Sequence, residues 1–150
     1  MVWGYFFWHG LGPIVPIEGS VTGQTHVKII NDYVVLTLHE YFPRGNRIFQ
    51  EDNALPHHSK VAVATRKNAK IVTLDWPAQS PNLNPIENLW AEMKVMAHRR
   101  TSHSPNLKVL EKYVKDAWNN LPLEYYKKLI DSMPRRIEAV IAANGSRINY

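Results

Sequence analysis

LDWPAQSPNLNPIENLW, residues 74–90, is the stretch that decides how this sequence reads. Pro77, Pro81 and Pro85 recur four apart, with Asn82 and Asn84 between the last two, and the run passes directly into an amphipathic helical pattern. A proline fixes its own φ and pushes the preceding residue toward extended backbone, so this is a stiff loop that sets the start of the helix. With Asn84 as cap and Pro85 as the first helical residue, Glu87 falls at the third position, a capping-box arrangement. The positive end of the helix dipole also favours its carboxylate there. A cap is therefore a complete local explanation of Glu87. It does not exclude a second role, because a helix start with fixed dihedrals is a good mount for a metal ligand.

After Asn84 the sequence reads as helical throughout. Ile86, Leu89, Trp90, Met93 and Ala97 form one apolar stripe. Leu107, Leu110, Val114, Trp118 and Leu121 form a second, and Leu123, Tyr126, Ile130 and Met133 a third that stops at Pro134. Ile137, Val140 and Ile141 lead to Gly145, a C-terminal stop. Before the proline loop the pattern is mixed. Val2–Trp8 and Ile14–Glu18 read as a hairpin. Val27, Ile30, Val34 and Leu38 follow at helical spacing. Arg47–Glu51 and Ile71–Leu74 read as short strands around a helix from Ser59 to Lys67, capped by Ser59. Strands mixed with helices and followed by a helical tail define an α/β layered architecture.

At 150 residues and 45% hydrophobic, with five Trp, the chain has the material for one folded domain. It has no cysteine, which excludes disulfides and zinc–thiolate sites. Met1–Trp8, the longest apolar stretch, is too short to span a bilayer, so a soluble protein without a membrane partner is expected. The net charge of +5 is unevenly placed. Residues 1–90 hold 7 Lys/Arg and 7 Asp/Glu, whereas residues 91–150 hold 11 and 6. Lys94, Arg99, Arg100, Arg135 and Arg136 are the candidate contacts for a polyanion such as DNA, against the plain alternative of a solvated basic helical face.

Asp52 follows the Arg47–Glu51 segment in QEDNALPHHS. Asp-Asn is a common turn pair, and alone it says no more. A carboxylate just past a strand end also lies where α/β folds place their chemistry. Together Asp52 and Glu87 could serve Mg²⁺ or Mn²⁺, which take few protein oxygens and leave positions for water and phosphate. Two such ions about 3.5–4 Å apart suit phosphodiester chemistry, which sets an expected carboxylate separation on the order of 4–8 Å. His57–His58 lacks the spaced partners of a zinc site and reads first as loop, and no glycine-rich phosphate loop is present.

QEDNALPHHSK and LDWPAQSPNLNPIENLWAEMK resemble the second and third acidic motifs of the Tc/mariner superfamily of DNA transposases. SMPRRIEAV resembles that family's closing helix, and MVWGYFFWHGLGPIVPIEG its second and third strands. The 34 residues between Asp52 and Glu87 match the Tc-like spacing. The resemblance implies an RNase H-like fold, a mixed sheet flanked by helices with a helical C-terminal part. It implies a DDE triad in which Asp52 is the second acid and Glu87 the third, both binding Mg²⁺ or Mn²⁺. Asn53 and His57 match the pattern around the second acid. Cut-and-paste chemistry on DNA in the nucleus follows from the same resemblance, with a homodimer left open. The family's first Asp lies on a strand expected just before Met1. The sequence thus reads as a partial, N-terminally truncated catalytic domain over residues 1–150, lacking that strand and any helix-turn-helix domain, and inactive alone. A non-catalytic transposon-derived remnant that binds DNA or protein is the alternative.

Overall fold

The computed structural model describes residues 1–77, 80–99 and 106–146. Two compact units emerge: Met1 with residues 17–80, and residues 2–16 with 81–150.

In the first unit, α1 (Gly23–Ile29) runs through a π-helical turn at Ile30–Val34 into α2 (Val35–Tyr41). Thr22 opens α1 with a reciprocal cap, its hydroxyl accepting from the Thr25 N–H while Thr25 accepts from the Thr22 N–H. The expected stripe is buried at Ile30, Val34 and Leu38. His26 and Ile29 are buried with it. α3 (Lys60–Asn68) starts where expected, with the Ser59 hydroxyl accepting from the Ala62 N–H.

The two strands expected around α3 are much shorter than the sequence suggests. Residues 47–51 and 71–74 meet in one parallel bridge, Phe49 to Thr73. Its bonds run from the Phe49 N–H to the Val72 carbonyl (2.8 Å) and from the Leu74 N–H to the Phe49 carbonyl (3.0 Å). A lone parallel pair is weakly held, because sheet stability comes from three or more strands or from packing on a helix.

In the second unit the N-terminal hairpin forms but divides into two short ladders. β1 (Val2–Trp3) pairs antiparallel with β4 (Val15–Pro16), and β2 (Phe6–Phe7) with β3 (Gly10–Leu11). Between them the Gly12 N–H donates to the Tyr5 carbonyl at 2.8 Å. Glycine is required here by space. A Cβ on Gly12 would lie 2.3 Å from the Tyr5 ring, and one on Gly4 2.9 Å from Ile14 Cδ1 and 3.0 Å from Trp90 Cη2.

The hairpin packs on a helical core built by α4 (Ile86–His98), α5 (Leu107–Asn119) and α6 (Leu123–Asp131). Leu89, Met93 and Ala97 are buried along α4, Ala117 and Trp118 on α5, and Tyr126 and Leu129 on α6. Trp118 is fully buried, stacks on Trp90 at 5.0 Å between ring centroids, and donates its indole N–H to the Gly12 carbonyl at 2.8 Å. The expected second and fourth stripes are only half used. Leu107 and Leu110 of α5 and Ile137 and Ile141 of α7 (Met133–Ala142) remain exposed. α7 ends as expected, with Asn144 and Gly145 at positive φ and the Gly145 N–H returning to the Val140 carbonyl at 2.9 Å.

Candidate active site

Asp52 belongs to the first unit, on the tight loop between the Phe49 bridge and α3. The turn reading of Asp-Asn holds locally, because Asp52 Oδ1 accepts the Ala54 N–H at 3.0 Å. The same Oδ1 lies 2.8 Å from His57 Nδ1, which also lies 3.1 Å from the Asp52 carbonyl. Carboxylate and carbonyl only accept, so His57 Nδ1 carries the proton in both contacts. Both contacts of the carboxylate fall on Oδ1, and among the described residues none falls on Oδ2. The side chain is 54% exposed. Asn53 ties the loop down from the other side: its amide donates to the Trp76 carbonyl, and its Oδ1 faces His58 Nε2, each at 2.7 Å. Trp76 lies within the proline-rich stretch, so that stretch also buttresses the Asp52 loop.

Behind Asp52 lies a cluster that the sequence did not signal. Glu51 is nearly buried and both its oxygens are engaged. Oε2 accepts from Nε2 of the buried His26 at 3.0 Å, and Oε1 lies 2.6 Å from Nη1 of Arg66, itself buried on α3. Arg66 Nη2 donates to the His57 carbonyl at 2.9 Å, and the His26 and His57 rings lie 4.2 Å apart. His26, Glu51 and His57 each offer a donor atom, all within 4.8 Å of one another. The chemistry nevertheless argues against a cation among them. Arg66 already supplies the counter-charge to Glu51, and a divalent cation on Oε2 would add a second positive centre beside a buried guanidinium that shares the same carboxylate. The cluster is a brace in which the Arg66–Glu51 ion pair is joined by hydrogen bonds to His26 and to the His57 carbonyl.

Glu87 belongs to the second unit. The expected capping box does not form. α4 begins at Ile86 behind Pro85, with no side-chain cap, and the Glu87 N–H instead bonds the Asn84 carbonyl at 3.2 Å. The prolines explain this: Pro81–Leu83 forms a 3₁₀ turn, the Asn84 N–H closes it on the Pro81 carbonyl at 3.0 Å, and the turn runs on into α4 through backbone bonds. Glu87 is exposed in the first turn of α4, and among the described residues no hydrogen bond or ion pair engages its carboxylate.

Of the candidate DNA contacts, Lys94, Arg99 and Arg135 are exposed. Arg100 lies outside the described residues. Arg136 requires correction: it is 3% exposed, donates from Nε to the Ser132 hydroxyl at 2.8 Å and from Nη1 to the Asn82 carbonyl at 3.0 Å. It anchors the proline loop from α7 and is not a surface charge. Nothing in the sequence names its partner, a carbonyl 54 residues away.

The sequence profile of the DDE superfamily endonucleases matches residues 10–111. The Tc1 transposase of Caenorhabditis elegans is 36% identical over 152 aligned residues, covering all of this chain and 54% of that protein, so the chain spans about half the length of this relative. Among solved structures, the Mos1 transposase catalytic domain with raltegravir and Mg superposes with a TM-score of 0.84 at 19% identity, over 97% of this chain and 75% of that one. The Mos1 paired-end complex with the left transposon end gives 0.83 at 20% identity, over 97% and 44%. These likenesses establish the RNase H-like fold, with small sheets flanked by helices. The chain belongs to the DDE superfamily endonucleases.

Proposed function

We propose that this chain is the catalytic portion of a cut-and-paste DNA transposase, in which the carboxylates of Asp52 and Glu87 serve a Mg²⁺ or Mn²⁺ site. The observation that carries the reading is the state of the two carboxylates. Each sits on backbone fixed by other groups, and each keeps oxygen atoms uncommitted among the described residues. Oxygen-only donors of this kind suit hard divalent cations. Such ions, when bound, activate a water or a 3′-hydroxyl and stabilise the leaving oxygen of a phosphodiester. The chain's own part is to hold the carboxylates: the Ala54 N–H and His57 fix Asp52 Oδ1, and the 3₁₀ turn fixes the backbone of Glu87. Lys94, Arg99 and Arg135 supply exposed positive charge for the DNA backbone. Mos1 has been solved with Mg and with a transposon end, which supports the same metal class and partner here. Residence in the nucleus and self-association around paired DNA ends belong to this proposal.

The test replaces Mg²⁺ with Fe²⁺ in the presence of hydrogen peroxide, which it reduces to hydroxyl radicals that cut polypeptide close to where the ion binds. Cuts around both residue 52 and residue 87, each suppressed by excess Mg²⁺ and lost together in Asp52→Asn or Glu87→Gln, are expected. Cutting at one segment that is indifferent to the other variant rules out a shared site.

A further inference from the structure

We propose that His57 is a positioning residue for Asp52, and that Arg66 fixes the loop carrying both by bracing Glu51 and the His57 carbonyl at once. The inference rests on the reading of Asp52 as a metal ligand. A carboxylate on an exposed loop rotates about two side-chain torsions unless something restrains it. Here His57 Nδ1 reaches Oδ1 at 2.8 Å and the Asp52 carbonyl at 3.1 Å, so one ring nitrogen grips side chain and backbone of the same residue. With the Ala54 N–H on the same oxygen, the carboxylate plane is set and Oδ2 is left for a cation.

His57 needs support in turn. Its side chain is 15% exposed, its ring lies against that of His26, and its N–H bonds the Ala54 carbonyl at 2.9 Å. Arg66 closes the arrangement. One planar guanidinium reaches Glu51 Oε1 through Nη1 and the His57 carbonyl through Nη2, linking the residue before Asp52 to the residue that grips it. His26 holds the other oxygen of Glu51. Nothing in this chain of contacts touches Oδ2 of Asp52 or needs to bind a cation. Groups that orient a ligand without touching the metal typically change metal affinity by about 10- to 100-fold when removed.

The test measures Mn²⁺ affinity of the whole chain by the electron paramagnetic resonance signal of free Mn²⁺, with thermal unfolding confirming that each variant is folded. His57→Asn places its amide nitrogen the same number of bonds from Cα as Nδ1, whereas the amide nitrogen of His57→Gln lies one bond further. Asn is therefore expected to stay within about threefold of the parent, while Gln and Ala weaken Mn²⁺ binding by about 10- to 100-fold. Arg66→Lys, a point charge without the fork, is expected to fall with Ala. Should Arg66→Lys unfold, the Asn–Gln contrast at His57 decides alone. If Asp52→Asn leaves Mn²⁺ binding unchanged, the metal-ligand reading and this inference both fall. If Asp52→Asn weakens binding while His57→Ala does not, or Asn rescues no better than Gln, the positioning role alone is overturned.

Discussion

Replacing Trp118 with Phe removes the indole N–H donor together with part of the ring that fills the core. The indole is fully buried, stacks on Trp90 and donates to the Gly12 carbonyl, a contact spanning 106 residues. Phe keeps a ring for Trp90, so most of the stacking preference of about 0.5–1.5 kcal/mol survives. The donor is lost, and a buried carbonyl left without its partner costs about 1–3 kcal/mol. The missing five-membered ring leaves a small cavity at roughly 24 cal/mol per Å³ of unfilled volume. The expected loss is therefore about 2–4 kcal/mol for Trp118→Phe, below the roughly 3–5 kcal/mol of Trp118→Ala. At about 2–4 °C per kcal/mol for a chain of this size, that lowers Tm by roughly 5–15 °C. Urea unfolding followed by far-ultraviolet circular dichroism measures the free energy. A Phe variant within about 0.5 kcal/mol of the parent, the usual scatter of neutral surface changes, would refute the role given to the indole donor.

Other perturbations separate structural from functional groups. Arg136→Met is expected to destabilise by about 1–3 kcal/mol through the bonds lost to Ser132 and Asn82, leaving the salt slope of DNA binding unchanged. Arg135→Met should leave stability alone and reduce the slope of log K against log salt by about 1, measured on random duplex DNA; if the two variants behave alike, the sorting by burial is wrong. Burial pushes the Tyr125 and Tyr126 phenols above their ordinary value of 10.0, with Glu92 and Glu124 adding to the shift respectively. The unfolded chain then releases these protons first, so stability is full below pH 10 and falls as pH rises beyond it; the double change to Phe should flatten that decline in alkaline urea titrations. Gly12→Ala forces a methyl onto the Tyr5 ring and is expected to lose about 1–3 kcal/mol, whereas alanine at Gly19, with nothing within 4 Å, meets only its positive φ of 70° and should lose less.

Features set by neighbours in sequence were legible, and features set by distant partners were not. The Ser59 cap depends on a bond to a residue three positions on, and the Gly145 stop on one five back, so local pattern suffices. The stripe of Leu89, Met93 and Ala97 reads correctly because α4 is covered along its length. The same periodicity overstates α5 and α7, since an apolar stripe shows which face could be buried, not whether a partner reaches it. The strands at 47–51 and 71–74 show the same gap, because propensity marks a segment for a sheet and only neighbouring strands make one. The capping box at Asn84 did not form, because the Glu87 N–H goes to the Asn84 carbonyl and no side chain caps the helix. Glu51, His26 and Arg66 gave no signal at all. Their contacts bridge 25 and 15 positions, and each residue alone is an ordinary polar side chain.

The carboxylates themselves carry the functional argument furthest. Glu51 has both oxygens engaged by buried cations or imidazole, and it is spent on structure. Its neighbour Asp52 has one oxygen engaged and the other open. Glu87 has neither engaged among the described residues, although the backbone beneath it is held by the Pro81–Leu83 turn, by buried Leu83 and by Arg136 on the Asn82 carbonyl. A carboxylate kept for stability gains most when its own oxygens accept bonds, because charge-assisted hydrogen bonds are the strong ones. Around Asp52 and Glu87 the bonds fall largely on the supporting backbone and loops, where they add rigidity and leave carboxylate oxygens uncommitted among the described residues. That distribution answers why so stiff a segment leads to one glutamate. Under the proposed metal-site reading, the proline loop fixes where the carboxylate stands and so removes part of the ordering entropy that binding a cation would otherwise have to offset.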